Sequence, residues 1–137
     1  MTYYEDLSVY DYFSDSIPEG VSAFNVGWLE AGRGYVKGGS SESFLECLET
    51  LVRDSGAMRT RGWESCQIPH PESGCPYPVT VGVSGGEVIL GDAEIRVVAQ
   101  SGDWLIAPNL ILHYVREHSY SPPDVFVEAV LAGRVAG

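Results

Sequence analysis

The chain has 137 residues, of which 45% are hydrophobic and 20% are charged, and its 19 acidic and 8 basic side chains give a net charge of −11. Length and hydrophobic content predict one domain over residues 1–137, able to bury about two thirds of its surface without a disulfide or a metal. The negative charge excludes nucleic acid and anionic membranes as partners, and it favours solubility or a basic protein partner. No apolar run approaches the roughly 18 residues of a membrane span and no signal sequence opens the chain, so we expect a cytoplasmic protein.

The first half of the chain predicts an arm, a strand and a helix. Residues 1–20 are aromatic and acidic without a clean period, and we expect an ordered arm that packs its rings on the body. Residues 21–29 favour a strand that ends in a glycine-rich turn. Apolar residues recur at helical spacing over residues 41–54, and Cys47 lies among them, where a thiol usually packs in the core.

The second half predicts strands followed by helices. Runs rich in β-branched residues alternate with glycine turns and predict an antiparallel meander. The predicted strands are residues 79–83, 87–90, 93–98 and 104–107. Two helices finish the chain, the first ending near residue 118 and the second near residue 133, and residues 134–137 should fray. The sequence therefore predicts an α+β fold, with a small antiparallel sheet of about four to six strands and about three helices packed on it.

The most distinctive motif is Cys66-Gln-Ile-Pro-His70-Pro-Glu-Ser-Gly-Cys75, in a proline-rich loop. Thiolate and imidazole are preferred zinc ligands, and a closed zinc site needs a fourth ligand from elsewhere, for which His118 and His113 are the candidates. On a helical wheel His118 lies near the centre of the apolar face and His113 on the opposite side, so we do not expect both in one site. An ordinary loop with two reduced thiols, or a Cys66–Cys75 disulfide, remains open as an alternative.

The other motifs do not indicate catalysis. Gly82-Val-Ser84-Gly-Gly86 matches the nucleophile elbow G-x-S-x-G, but a strand follows it instead of a helix, so Ser84 is interpreted as a hairpin-turn residue. Arg59 and Arg61 could hold an anion together, although a salt bridge to the acid-rich first half is the simpler interpretation. The carboxylates are too numerous to nominate an acid and base pair, so no catalytic residue is assigned.

Several motifs spread over most of the chain are distinctive. They are Tyr4-Glu-Asp-Leu-Ser8, Asn25-Val-Gly-Trp-Leu29, Arg61-Gly-Trp63 leading to Cys66, Gly91-Asp-Ala-Glu-Ile-Arg-Val97, Ala107-Pro-Asn-Leu-Ile-Leu-His-Tyr-Val115 with His118, Tyr120 and Pro122-Pro123, and Phe126-Val-Glu-Ala-Val130. In these motifs the chain resembles an uncharacterised family of small bacterial proteins, chiefly actinobacterial, that is known only as a domain of unknown function. The resemblance implies no established activity.

The resemblance also implies a metal-like pattern, because relatives show Gly-aromatic-His-x-Cys-x-x-Cys at the position of Gly62 and Trp63. Of the three pattern ligands this chain keeps Cys66, while Glu64 occupies the histidine position and Pro69 the second cysteine position. Under the resemblance, either Cys75 or His70 replaces the lost ligand, or this member has kept the fold without the metal.

Two hypotheses follow from the sequence. The first is a cytoplasmic, non-catalytic interaction or accessory protein, an acidic partner that masks a basic protein in the manner of an immunity protein. The alternative is a zinc-binding domain or zinc-dependent enzyme built on Cys66, Cys75 and histidines, with His70 and His118 preferred and His113 as the substitute. The expected cofactor is accordingly none or zinc.

Overall fold

The computed structural model of the protein describes residues 3–58, 66, 68, 79–83 and 86–136. Predictions made for Arg59, Arg61, His70, Cys75 and Ser84 fall outside these residues. In chain order the elements are a 3-10 turn at Ser14–Ser16, β1 (Ala23–Asn25), α1 (Glu42–Asp54), β2 (Thr80–Val83), β3 (Gly86–Ile89), β4 (Glu94–Val98), β5 (Trp104–Pro108), α2 (Ile111–Glu117) and α3 (Asp124–Ala132). The described residues thus form three α-helices and five strands, which confirms the predicted α+β class.

The strands form two sheets instead of one meander. The larger sheet has the order β1-β5-β4, in which β5 runs antiparallel to β4 and parallel to β1. The smaller sheet is the antiparallel hairpin of β2 and β3. After β3 the chain turns at Gly91, which adopts a left-handed φ of 102° and donates its N–H to the Asn109 side chain at 2.7 Å. The parallel pairing of β1 with β5 makes the larger sheet mixed.

One hydrophobic core lies between the larger sheet and the helices. Helix α1 begins after Ser41, whose hydroxyl accepts a hydrogen bond from the Phe44 N–H at 3.1 Å. The buried positions of α1 recur at helical spacing, and the ring of Phe44 meets that of Phe126 on α3 edge to face at 6.4 Å. Cys47 is half buried and packs against this core.

The N-terminal segment covers a second, smaller hydrophobic cluster that includes Tyr10, Trp28 and Ile106. The Trp28 indole N–H donates to the Ile106 carbonyl at 3.0 Å. A buried ion pair anchors the segment, because Arg96 contacts Glu94 at 2.8 Å and the Tyr10 hydroxyl donates to the same carboxylate at 2.7 Å. Burial raises the pKa of Glu94, and the hydrogen bonds from Tyr10 and Arg96 oppose that rise.

The chain end also packs on the larger sheet. Residues 134–136, which the sequence predicts to fray, lie beside β4: the Val98 N–H donates to the Arg134 carbonyl at 2.8 Å and the Ala136 N–H to the Arg96 carbonyl at 2.9 Å. Throughout the described part of the chain, no helix is both long and apolar enough to cross a membrane.

Candidate metal centre

Helix α2 carries the first imidazole of the candidate site. All residues from Ile111 to Val115 are buried, so His113 is only 7% exposed although it lies outside the apolar set of the wheel. The Asn109 side chain, one residue before the N-cap Leu110, fixes the start of α2 by accepting from Gly91 and donating to Asp92 at 3.1 Å. The helix is thereby held against the turn between β3 and β4.

The second imidazole lies just beyond α2. His118 is the C-cap residue, with φ −119° and ψ 9°, and its N–H still donates to the Tyr114 carbonyl at 3.0 Å. Ser119 follows with a left-handed φ of 55°. Because the backbone leaves helical geometry at His118, the wheel of 100° per residue does not describe where its side chain lies.

The two imidazoles meet, which corrects the expectation that they cannot serve one site. The ring centroids of His113 and His118 are 5.0 Å apart, with ring planes at 75°. On a continuous helix, residues five apart project about 140° from each other. The end of the helix removes that constraint, because α2 has 7 residues, about two turns, and ends at Glu117, before His118.

The thiol of Cys66 completes the cluster. Cys66 is 3% exposed, and its Sγ lies 3.4 Å from the Nε2 of His118. One ligand atom each from Cys66, His113 and His118 lies within 4.8 Å of the other two. Residues from two distant parts of the sequence thus converge on a space the size of one ion.

The distance between Cys66 and His118 fits a tetrahedral metal. With a zinc–sulfur bond of about 2.3 Å and a zinc–nitrogen bond of about 2.05 Å, a tetrahedral angle separates sulfur and nitrogen by about 3.6 Å. The observed separation of 3.4 Å between Cys66 and His118 is close to that value. A thiol–imidazole hydrogen bond would also give this contact, but it would not require the approach of His113.

The backbone around His118 is held by a neighbouring segment. The Tyr35 hydroxyl donates to the His118 carbonyl at 3.0 Å, and the Gly38 N–H donates to the Ser119 carbonyl at 2.9 Å. Burial first, and then the negative charge of the Cys66 thiolate, raise the pKa of Tyr35. Such supporting contacts fix the orientation of a ligand before any ion arrives.

A further contact ties the site to the N-terminal segment. The Tyr120 hydroxyl lies 2.9 and 2.8 Å from the two carboxylate oxygens of Asp6, and the same carboxylate accepts from the Gly27 N–H at 2.9 Å. Burial and the Asp6 carboxylate raise the pKa of Tyr120, so the hydroxyl stays protonated and acts as the donor.

The structure brings together part of the ligand set that was nominated from sequence. Cys66 and His118, both nominated from sequence, lie together, and His113, nominated only as a substitute, joins them. His70 and Cys75 are outside the described residues. One feature of the sequence could have favoured His113. It stands within a run of apolar residues close to the predicted end of a helix, where its side chain can turn towards a second ligand.

Comparison with known proteins identifies the family. The chain matches the family described as "Domain of unknown function (DUF7919)" over residues 2–131, and it therefore belongs to that family. No curated protein and no solved structure matches the chain. The resemblance to an uncharacterised family is thereby confirmed as membership of a domain family of unknown function.

Proposed function

We propose that this member of the DUF7919 family binds a transition metal, with zinc as the first choice, through Cys66, His113 and His118. The observation that carries the proposal is the convergence of one sulfur and two imidazole nitrogens within 4.8 Å. Zinc accepts this mixture of thiolate and imidazole, whereas magnesium and calcium require oxygen ligands.

The burial of the ligands supports a structural role for the metal. Cys66 and His113 are 3% and 7% exposed, and an ion between them would join the Cys66 segment to α2. The fourth ligand is proposed to come from Cys75 or His70, as the resemblance implies for a chain that has lost the second cysteine of the pattern. A cytoplasmic location keeps the thiols reduced and available.

The test is the metal content of protein purified without chelator, measured by elemental analysis. We expect about one equivalent of zinc, and less than about a tenth of an equivalent after incubation with zinc would contradict the proposal. Cobalt substitution gives a second measurement, because a thiolate-to-cobalt absorption band reports a sulfur ligand directly. The band should be present in the wild type.

The second candidate function is an interaction with a basic protein, and a specific asymmetry of charge favours it. Residues 1–32 contain six acidic side chains and no lysine, arginine or histidine. An acidic accessory protein of this kind should bind its partner at low ionic strength and release it as salt is added. Recovery of no partner at low ionic strength would contradict this role. Neither candidate function assigns a catalytic step.

A further inference from the structure

A groove lies between the N-terminal segment and the stretch that leads into β1. Its volume is about 430 Å³, and its wall is mostly apolar. The side chains that line it include Val9, Ile17, Val21, Phe24 and Glu19. A cavity of this size can accept one or two aliphatic side chains.

The groove is bounded by backbone that is already held in place. Val9 forms an isolated antiparallel bridge with Phe24 of β1, and the adjacent Tyr10 N–H donates to the Ala23 carbonyl at 2.9 Å. The buried hydrogen bond from the Tyr10 hydroxyl to Glu94 anchors the same stretch. A ligand would therefore meet a preformed surface and would not have to order it.

Apolar side chains on and around the groove face solvent. Val9 is 71% exposed, Tyr12 is 55% exposed and Leu7 is 46% exposed. Single exposed apolar residues are common on any protein, but here three lie within six positions, and one of them, Val9, lines the apolar groove.

The exposed charged residues of this stretch are acidic. Asp11, Asp15 and Glu19 are all exposed, and Glu19 itself lines the groove. Arg96 donates to the Ser16 hydroxyl at 2.7 Å, but its side chain is buried and paired with Glu94 at 2.8 Å. A cationic ligand would find the Glu19 carboxylate at the groove, with the Asp11 and Asp15 carboxylates close by along the chain.

We propose that this groove binds an extended, basic segment of a partner protein, with an aliphatic side chain in the groove and lysine or arginine side chains beside Asp11, Asp15 and Glu19. The inference rests on the interaction role proposed above and is independent of the metal site. Charge complementarity selects this occupant, because a second copy of a chain with net charge −11 and an anionic membrane would both be repelled.

The test uses fluorescently labelled synthetic peptides and fluorescence anisotropy with the full chain. One peptide alternates lysine and valine, a second alternates lysine and serine, and a third alternates glutamate and valine. We expect the lysine–valine peptide to bind at least about tenfold more tightly than either of the others. Raising the salt from about 0.05 M to about 0.5 M should weaken that binding by about tenfold or more.

Matched variants locate the binding surface. Val9→Ser removes an exposed apolar side chain at the groove, and Val125→Ser removes one that is 46% exposed on α3. We expect about tenfold weaker binding of the lysine–valine peptide for Val9→Ser and a change within about twofold for Val125→Ser. Circular dichroism of each variant verifies that the fold is retained.

A second pair of variants isolates the charge. The double variant Asp15→Asn, Glu19→Gln and the double variant Glu42→Gln, Glu46→Gln remove the same number of exposed negative charges, the latter from α1. Only the double variant Asp15→Asn, Glu19→Gln should markedly weaken binding of the lysine–valine peptide, because charges close to a bound cation attract it more strongly than distant ones at moderate salt.

The outcomes separate the groove from the interaction role. Equal weakening in test and control variants, equal binding of all three peptides, or a concentration-dependent dimer that Val9→Ser abolishes would each overturn the groove proposal. If the lysine–valine peptide binds with salt dependence but the groove variants have no effect, the interaction role stands and the groove is wrong. If no cationic peptide binds at low salt, both proposals fail.

Discussion

Replacing His113 with glutamine separates a three-ligand metal site from a simple thiol–imidazole contact. His113 is 7% exposed on α2, and glutamine keeps a polar side chain there while removing the imidazole. If the contact of 3.4 Å between Cys66 and His118 is only a hydrogen bond, His113 has no part in it. If a metal lies among the three residues, its affinity depends on His113.

The expected effect on stability follows from linkage. At a free zinc concentration about 100 times the dissociation constant, binding to the folded state alone adds about 2.7 kcal/mol to the free energy of unfolding. An unfolding entropy of about 2.1 cal/mol/K per residue gives about 290 cal/mol/K for a chain of this length. The wild type should therefore gain about 9 °C in melting temperature when zinc is added.

The assay is thermal unfolding with and without zinc, and the quantity compared is the increase in melting temperature within each variant. His113→Gln should lose most of the zinc-dependent increase, whatever its melting temperature without metal. Glu117→Gln, an exposed change on the same helix, should keep all of it. A full zinc-dependent increase in His113→Gln would refute the assignment of His113 as a ligand.

Three further predictions follow from the described contacts. Cys66→Ser should abolish the cobalt–thiolate absorption band if the fourth ligand is His70 and reduce it if that ligand is Cys75, whereas Cys47→Ser should leave it intact, and an undiminished band in Cys66→Ser would exclude that sulfur as a ligand. Arg96→Met leaves a buried carboxylate uncompensated and should cost about 3–5 kcal/mol in urea unfolding, while Arg53→Met, which breaks an exposed pair, should leave the urea midpoint unchanged; similar small shifts in both would refute the anchoring role. Tyr120→Phe removes a buried donor to a carboxylate and should cost about 1.5–3 kcal/mol, so unchanged stability would argue against that hydrogen bond.

Local patterns predicted the elements more reliably than their assembly. The spacing of Phe44, Leu48 and Leu51 predicted α1, and all three side chains are buried in the structure. Runs of β-branched residues between glycine turns predicted the strands, but no local pattern indicates that β1 lies parallel to β5 or that the β2–β3 hairpin forms its own sheet. Strand pairing between residues about 80 apart depends on how the whole chain packs.

The sequence by itself determined the chemistry that is available: an acidic chain of α+β type, with Cys66 and His118 among a small set of possible metal ligands. The tertiary structure alone decided which of these groups meet. It ends α2 just before His118, which brings that ring to 5.0 Å from His113, and it places the Cys66 sulfur against them. The reason is physical: ligand types follow from residue identity, whereas their separation follows from where helices end and how distant segments pack.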